Sequence, residues 1–194
     1  MLTLYIIRHG STRFNEQQKL QGQLDFPLTA QGTMDAKLMA ILLKKVRLDA
    51  IYSSDLKRAK MTAEIVRKSL GFPKNIISTP LLREIDAGKV SGYPKAEIHR
   101  RYPSYKKQAS FTFPGGESYA DVQRRVLRFF RLLEKQCPDD VVLIVTHSGC
   151  IRSLICGLRG KPLEKYLNMP ISHRFLMKMA ISNGRLKAYK RLHN

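Results

Sequence analysis

The chain has 194 residues, 43% hydrophobic and 26% charged, an ordinary globular balance with length enough to bury a core. Lys and Arg number 35 against 15 Asp and Glu, and the net charge of +20 favours unspecific attraction to phosphates, nucleic acid and anionic lipid. No apolar run approaches the roughly 18 residues of a membrane helix, the start lacks a basic and apolar leader, and Cys137, Cys150 and Cys156 lack metal-ligand spacing. The first element is a short apolar, β-branched run, Leu2 to Ile7, which reads as a buried strand ending in Arg8-His9-Gly10. A loop through Gln21 to Leu28 follows. Thr29 is a candidate N-cap for a helix reaching about Val46, with Met34, Leu38, Ile41 and Leu42 on one apolar face. Ala50 to Ser54 reads as a second strand, leading to a helix from about Asp55 to Leu70 that Gly71 and Pro73 stop. Ala59, Ala63, Val66 and Leu70 form its inward side.

A third strand is expected near Asn75–Thr79, then a loop from Leu82 to Gly88. The proline-bearing stretch of residues 92–116 reads as a cap-like excursion over the sheet edge, with one short helix at 95–102. Ser118 and Asp121 form a capping signal for a helix to about Gln136, buried through Val122, Val126, Phe129 and Leu133. A second apolar run, Val141 to Val145, ends in Thr146-His147-Ser148-Gly149 and precedes a helix at about Cys150–Leu158. Alternation from Phe175 to Ile181, a turn at Asn183-Gly184 and a last strand through Leu186 and Ala188 predict a closing hairpin. Strands alternating with helices imply an α/β fold, a three-layer α/β/α sandwich around a mostly parallel sheet. Residues 1–194 are expected to be a single domain.

Loops that follow parallel strands converge on one edge of the sheet. Arg8, His9, Asn15, Arg58, Glu84 and His147 all fall in or beside such loops. Two guanidiniums, two imidazoles and helix N-termini make a nest of donors suited to a tetrahedral dianion. One carboxylic acid in that nest is out of place as a phosphate ligand but fits a proton donor. Taken singly, the bland alternatives are structural histidines at strand ends, a solvated Arg58, a Glu84 paired with Arg83, and an Asn15 that serves as a cap. Cys150 reads as a small buried apolar group whose removal leaves activity intact.

The chain resembles the histidine phosphatase superfamily, in the branch that includes cofactor-dependent phosphoglycerate mutase. The residues that carry the resemblance lie between positions 8 and 149. In order they are Arg8-His9-Gly10 with Thr12 and Asn15, then Gln21-Gly22 with Asp25, Pro27, Leu28, Thr29 and Gly32, then Ser53-Ser54-Asp55-Leu56 with Arg58-Ala59. Leu82-Arg83-Glu84-Ile85-Asp86 with Gly88, Gly115-Gly116-Glu117-Ser118, and Thr146-His147 with Gly149 complete the set. The stretch Lys89-Val90-Ser91-Gly92 departs from the family's usual aromatic and acidic pair, and His147-Ser148-Gly149 from its usual second histidine motif.

The resemblance implies a phosphoglycerate mutase-like fold and a metal-independent phosphomonoesterase acting through phosphohistidine on a small phosphorylated metabolite. It implies His9 as nucleophile, Glu84 as acid and base, and Arg8, Arg58 and His147 as catalytic donors. Asn15, Gln21, Gly22 and Ser148 would join Arg8, Arg58 and His147 in holding phosphate. No metal or other cofactor is implied, because arginines supply the positive charge. Glu84 and His147 are as near in sequence as in compact phosphatases, whereas mutases carry a longer insertion there, so mutase or bisphosphatase activity is the alternative. From another class, the alternative is a basic protein that binds nucleic acid or anionic surfaces with a relict pocket. A cytoplasmic monomer or homodimer is expected, with no specific nucleic-acid or membrane partner. Within the excursion, residues 99–107 mix basic and aromatic side chains; the plainer reading is a solvated basic loop, the alternative a grip on further anionic or planar groups of the substrate.

Overall fold

A computed structural model describes residues 1–194. Its frame is one six-stranded sheet in the order β3-β2-β4-β1-β5-β6. The strands are β1 (Leu2–Arg8), β2 (Ala50–Ser54), β3 (Ile77–Thr79), β4 (Val141–Thr146), β5 (Leu176–Ser182) and β6 (Arg185–His193). The first four run parallel, while β5 and β6 are antiparallel and form the expected hairpin. Asn183 and Gly184 both take positive φ at its turn, as a tight two-residue hairpin requires.

Six helices surround the sheet: α1 (Arg13–Glu16), α2 (Ala30–Leu43), α3 (Lys57–Ser69), α4 (Lys95–Arg101), α5 (Tyr119–Gln136) and α6 (Ser148–Leu158). The two-residue period of β1 divides it between two cores. Tyr5 and Ile7 meet α2 and α3, while Leu4 and Ile6 meet α5 and α6. This is the expected three-layer arrangement. No helix is long and apolar enough to cross a membrane.

The expected caps are present. The Thr29 side chain accepts from Gly32 N at 3.1 Å, and Ser118 and Asp121 form a reciprocal capping box. The expected face of α2 is wrong. Met34 is 62% and Ile41 68% exposed, while Gly32, Asp35, Ala36, Met39, Ala40 and Leu43 are buried. Apolar residues occur all round this helix, so the pattern allowed two stripes. Close approach chooses between them: a Cβ on Gly32 would strike the backbone of Ser11, and one on Gly10 the backbone of Gly32. That contact turns the small-residue face inward and fixes the loop that follows His9.

The excursion also differs from expectation. Ile98, Tyr105 and Phe113 join the larger core, and Tyr105 and Phe111 each pack against Phe113. Its aromatic content gives it an anchor of its own. Lys95, Tyr105 and Lys106 line the cavity at the carboxyl ends of the strands, so the segment reaches over that edge of the sheet.

Candidate active site

Adjacent parallel strands bring the two imidazoles together. Arg8 of β1 is in register with Thr146 of β4, and His9 N donates to Thr146 O at 2.9 Å. The next residue along each strand is a histidine, and the His9 and His147 rings lie 5.0 Å apart, centroid to centroid. Both are buried.

Nδ1 of His9 lies 2.7 Å from Gly10 O, which can only accept, so Nδ1 carries the proton and Nε2 keeps its lone pair. Burial holds this ring well below the usual histidine pKa, with Arg58, His147, Arg8 and His173 adding repulsion. His147 is held neutral by burial in the same way, helped by Arg58, Arg125 and Arg8. Neither ring nitrogen of His147 has a protein partner.

The two guanidiniums are fixed by carbonyls rather than carboxylates. Arg8 Nη1 donates to Ile171 O at 2.6 Å, while Arg58 donates to Leu24 O at 2.8 Å and Gly22 O at 2.7 Å. Arg58 is only 1% exposed, which excludes a solvated helix residue. Burial lowers both pKa values to about 10, so both stay charged at neutral pH. The Nε atoms of Arg8 and Arg58 are buried without partners. Orphaned donors around two charged guanidiniums mark a place made for an anion.

Glu84 is not paired with Arg83, whose guanidinium goes to Asp55 at 2.6 and 2.7 Å. Instead its carboxylate accepts from Ile85 N at 3.0 Å, Ser148 Oγ at 3.2 Å and Gly149 N at 3.2 Å. The last two donors belong to the first turn of α6, whose positive end faces the acid. A Cβ on Gly149 would fall on Glu84 Oε1, so only glycine leaves the carboxyl room.

All the expected site residues except His147 line one cavity of about 150 Å³, namely Arg8, His9, Asn15, Gln21, Gly22, Arg58, Glu84 and Ser148. The buried His147 ring packs against that of His9, which does line the cavity. Asn15 Oδ1 accepts from Thr12 N at 3.2 Å, so it caps α1 as well as facing the cavity. Gln21 is occupied by Thr12 Oγ1 at 2.7 Å and Leu24 O at 3.2 Å, and Gly22 contributes the carbonyl that holds Arg58. Ser148 gives its hydroxyl to Glu84. Cys150 is buried, its Sγ 2.8 Å from Arg83 O, and burial pushes the thiol up to about 11. That is an inert thiol supporting the Glu84 loop.

Several residues escaped the sequence reading. Arg125 binds Glu117 at 2.9 and 3.0 Å and reaches Glu84 O at 3.0 Å and Leu81 O at 3.0 Å. This clamp holds the Glu84 loop where the chain departs at residues 89–91 from the pattern it resembles, and Glu117 was its only visible signal. His173 donates from Nδ1 to His9 O at 2.8 Å, its ring 5.4 Å from that of His9. It follows a loop in which no pattern marks it. Lys95 and Arg152 also line the cavity and stood on helices read as structural.

Residues 4–192 match the model of the histidine phosphatase superfamily, branch 1. The chain belongs to this superfamily. As a histidine phosphatase, it is a phosphoric monoester hydrolase that works through a phosphohistidine. It is 33% identical to phosphoserine phosphatase 1 of Hydrogenobacter thermophilus over 86% of this chain and 80% of that protein. It is 32% identical to a Cronobacter sakazakii protein named probable phosphoglycerate mutase GpmB, over 81% of this chain and 76% of the other. Among solved structures, a mycobacterial glucosyl-3-phosphoglycerate phosphatase superposes with a TM-score of 0.84 at 26% identity, covering 98% of this chain and 97% of that one.

Proposed function

We propose that this histidine phosphatase hydrolyses a small phosphorylated metabolite without a metal, with His9 as nucleophile and Glu84 as proton donor and acceptor. The observation that carries the assignment is the protonated Nδ1 of His9, which leaves Nε2 as a neutral nucleophile between Arg8, Arg58 and His147. Nε2 attacks phosphorus, the ester P–O bond breaks, and Glu84 gives its proton to the leaving alkoxide. Glu84 then takes a proton from a water whose oxygen attacks phosphorus, the P–N bond breaks with its electron pair returning to His9 Nε2, and inorganic phosphate leaves.

Arg8 and Arg58 neutralise the transferring group as a metal does elsewhere, and His147 donates to it. Asn15 and the Gln21-Gly22 loop complete the phosphate cup. Residues 1–194 would act as one cytoplasmic domain capped by residues 92–116. A mutase must retain a monophosphate and exclude water. The short excursion favours hydrolysis over that reading. Relatives by sequence and structure carry different substrate names, among them phosphoserine and glucosyl-3-phosphoglycerate, and what they support in common is the class of activity.

Turnover of p-nitrophenyl phosphate in EDTA tests the assignment. The wild-type protein should work unimpaired, and His9→Ala should lose about 10⁴-fold or more in kcat. Equal rates in the two proteins would remove His9 as nucleophile. Recovery only on adding a divalent ion would remove the metal-free mechanism.

A further inference from the structure

One irregular segment, residues 169–174 before β5, reaches two members of the phosphoryl site at once. Ile171 O accepts from Arg8 Nη1 at 2.6 Å, and His173 Nδ1 donates to His9 O at 2.8 Å. The segment is itself held from behind. Ile171 and the neighbouring Phe175 are buried in the larger core. Arg174 Nε binds the buried Asp35 of α2 at 2.9 Å, and Arg174 O accepts from His193 Nδ1 at 2.9 Å.

The antiparallel ladder between β1 and β5 ends at Ile7 and Leu176, so it stops short of His9. The side chain of His173, three residues before Leu176, supplies the donor that the strand does not. The peptide between His9 and Gly10 is thereby clamped on both sides, its carbonyl by His173 and its N–H by Thr62 Oγ1 at 3.0 Å. In a trans peptide these two groups point in opposite directions, so the two bonds together fix its plane. The His9 ring is tied in turn to Gly10 O at 2.7 Å, and where the peptide tilts, Nε2 moves with it.

Histidine suits this place. The carbonyl of His9 can only accept, so Nδ1 of His173 carries the proton, and burial, then repulsion by Arg8, lowers its pKa to about 4. The donor is therefore neutral at pH 7. A lysine or arginine there would set a full positive charge beside a ring that becomes positive as its Nε2 bonds to phosphorus.

We propose that His173 is a positioning residue for phosphoryl transfer, which holds His9 Nε2 in line with phosphorus through the His9–Gly10 peptide. It is not among the residues that line the cavity, so it acts through His9 and not on the substrate. The proposal rests on His9 being the nucleophile.

The test compares kcat on p-nitrophenyl phosphate with the Ki of inorganic phosphate in two variants. His173→Leu removes the donor, and His173→Asn keeps an N–H close to where Nδ1 stands. His173→Leu should lower kcat about 10- to 100-fold, the cost of misplacing a reacting atom by about 1 Å. Its phosphate Ki should stay within about twofold of wild type, because Arg8 and Arg58 keep their own carbonyl anchors. His173→Asn should recover most of the rate.

The Ki separates positioning from mere support of the segment. Were His173 only a prop, its loss would shift Ile171 and Arg8 with it, and Ki would rise as kcat falls; that result would overturn the proposal. So would a wild-type kcat in His173→Leu, or an Asn variant as slow as the Leu variant. Should His173→Leu fail to fold, His173→Gln, which carries its amide one carbon further out, should show the same loss of kcat at unchanged Ki. A full rate in His173→Leu beside an inactive His9→Ala would remove the positioning role alone. A full rate in His9→Ala would remove the nucleophile and the positioning role together.

Discussion

The two ends of the cavity are built differently. At the floor, His9 and His147 extend from adjacent parallel strands, and Arg8 and Arg58 are pinned by the carbonyls of Ile171, Gly22 and Leu24. At the rim, Lys95, Lys106 and Arg152 present charge without an acidic partner, two of them on a segment held mainly by its aromatic side chains. The difference teaches a division of labour. A phosphoryl group has one shape and needs donors fixed in advance. The remainder of a substrate varies, and long side chains on a capping segment are the cheaper part to alter.

Substitutions at the floor should therefore slow every substrate alike. Arg58→Met should cost about 10²- to 10³-fold in kcat on any phosphate ester. It should also lower the Tm, because the carbonyls of Gly22 and Leu24 lose their donor, a penalty of about 1–3 kcal/mol each. A uniform kcat loss across aryl and metabolite phosphates checks the first part, and thermal unfolding the second. If the loss depended on the substrate, the comparison of floor with rim would fail.

Gly149→Ala comes next. The added methyl displaces the Glu84 carboxyl while sparing the histidines, so about 10- to 100-fold should be lost. Esters with poor leaving groups should suffer more than p-nitrophenyl phosphate, whose leaving phenolate needs little protonation. An equal loss for both would place Glu84 outside proton transfer.

The pH dependence of stability follows from the buried imidazoles. Folding lowers the pKa of His173 to about 4, through burial and then Arg8, from about 6.5 in the unfolded chain. A histidine kept neutral on folding gives stability that is fully present above pH 6.5. It is lost as pH falls towards 4, where the unfolded chain has bound a proton that the folded chain has not. The loss from His173 is at most ~3 kcal/mol by pH 4. His9 and His147 act in the same direction. Tm measured between pH 7 and pH 4 should fall, and His173→Asn should flatten the slope; an unchanged slope would contradict the neutral buried state. The smallest effect is expected for Cys150→Ala, about twofold or less in kcat.

The floor was far more legible in the sequence than the rim. Strand ends written as apolar run, histidine and glycine placed both imidazoles, because backbone register alone carries them to one edge. Capping residues at Thr29 and Ser118 reported helix starts for an equally local reason. What failed depended on packing between distant segments. The inward face of α2 was decided by the contact between Gly32 and Ser11, which no periodicity within the helix encodes. His173 and Arg125 act through backbone carbonyls far away in sequence, and such partners leave no pattern. The cationic rim was half visible: residues 99–107 signalled base and aromatic, but Lys95 and Arg152 are single charges on ordinary helices.

The most direct test of the central claim is to quench the enzyme during turnover of a phosphorus-labelled substrate and locate the label. The account predicts an acid-labile, base-stable phosphohistidine at residue 9 with phosphorus on Nε2, because Nδ1 is committed to the Gly10 carbonyl. Phosphate on Nδ1, on Ser148 or on His147, or hydrolysis with no phosphoenzyme at all, would contradict it.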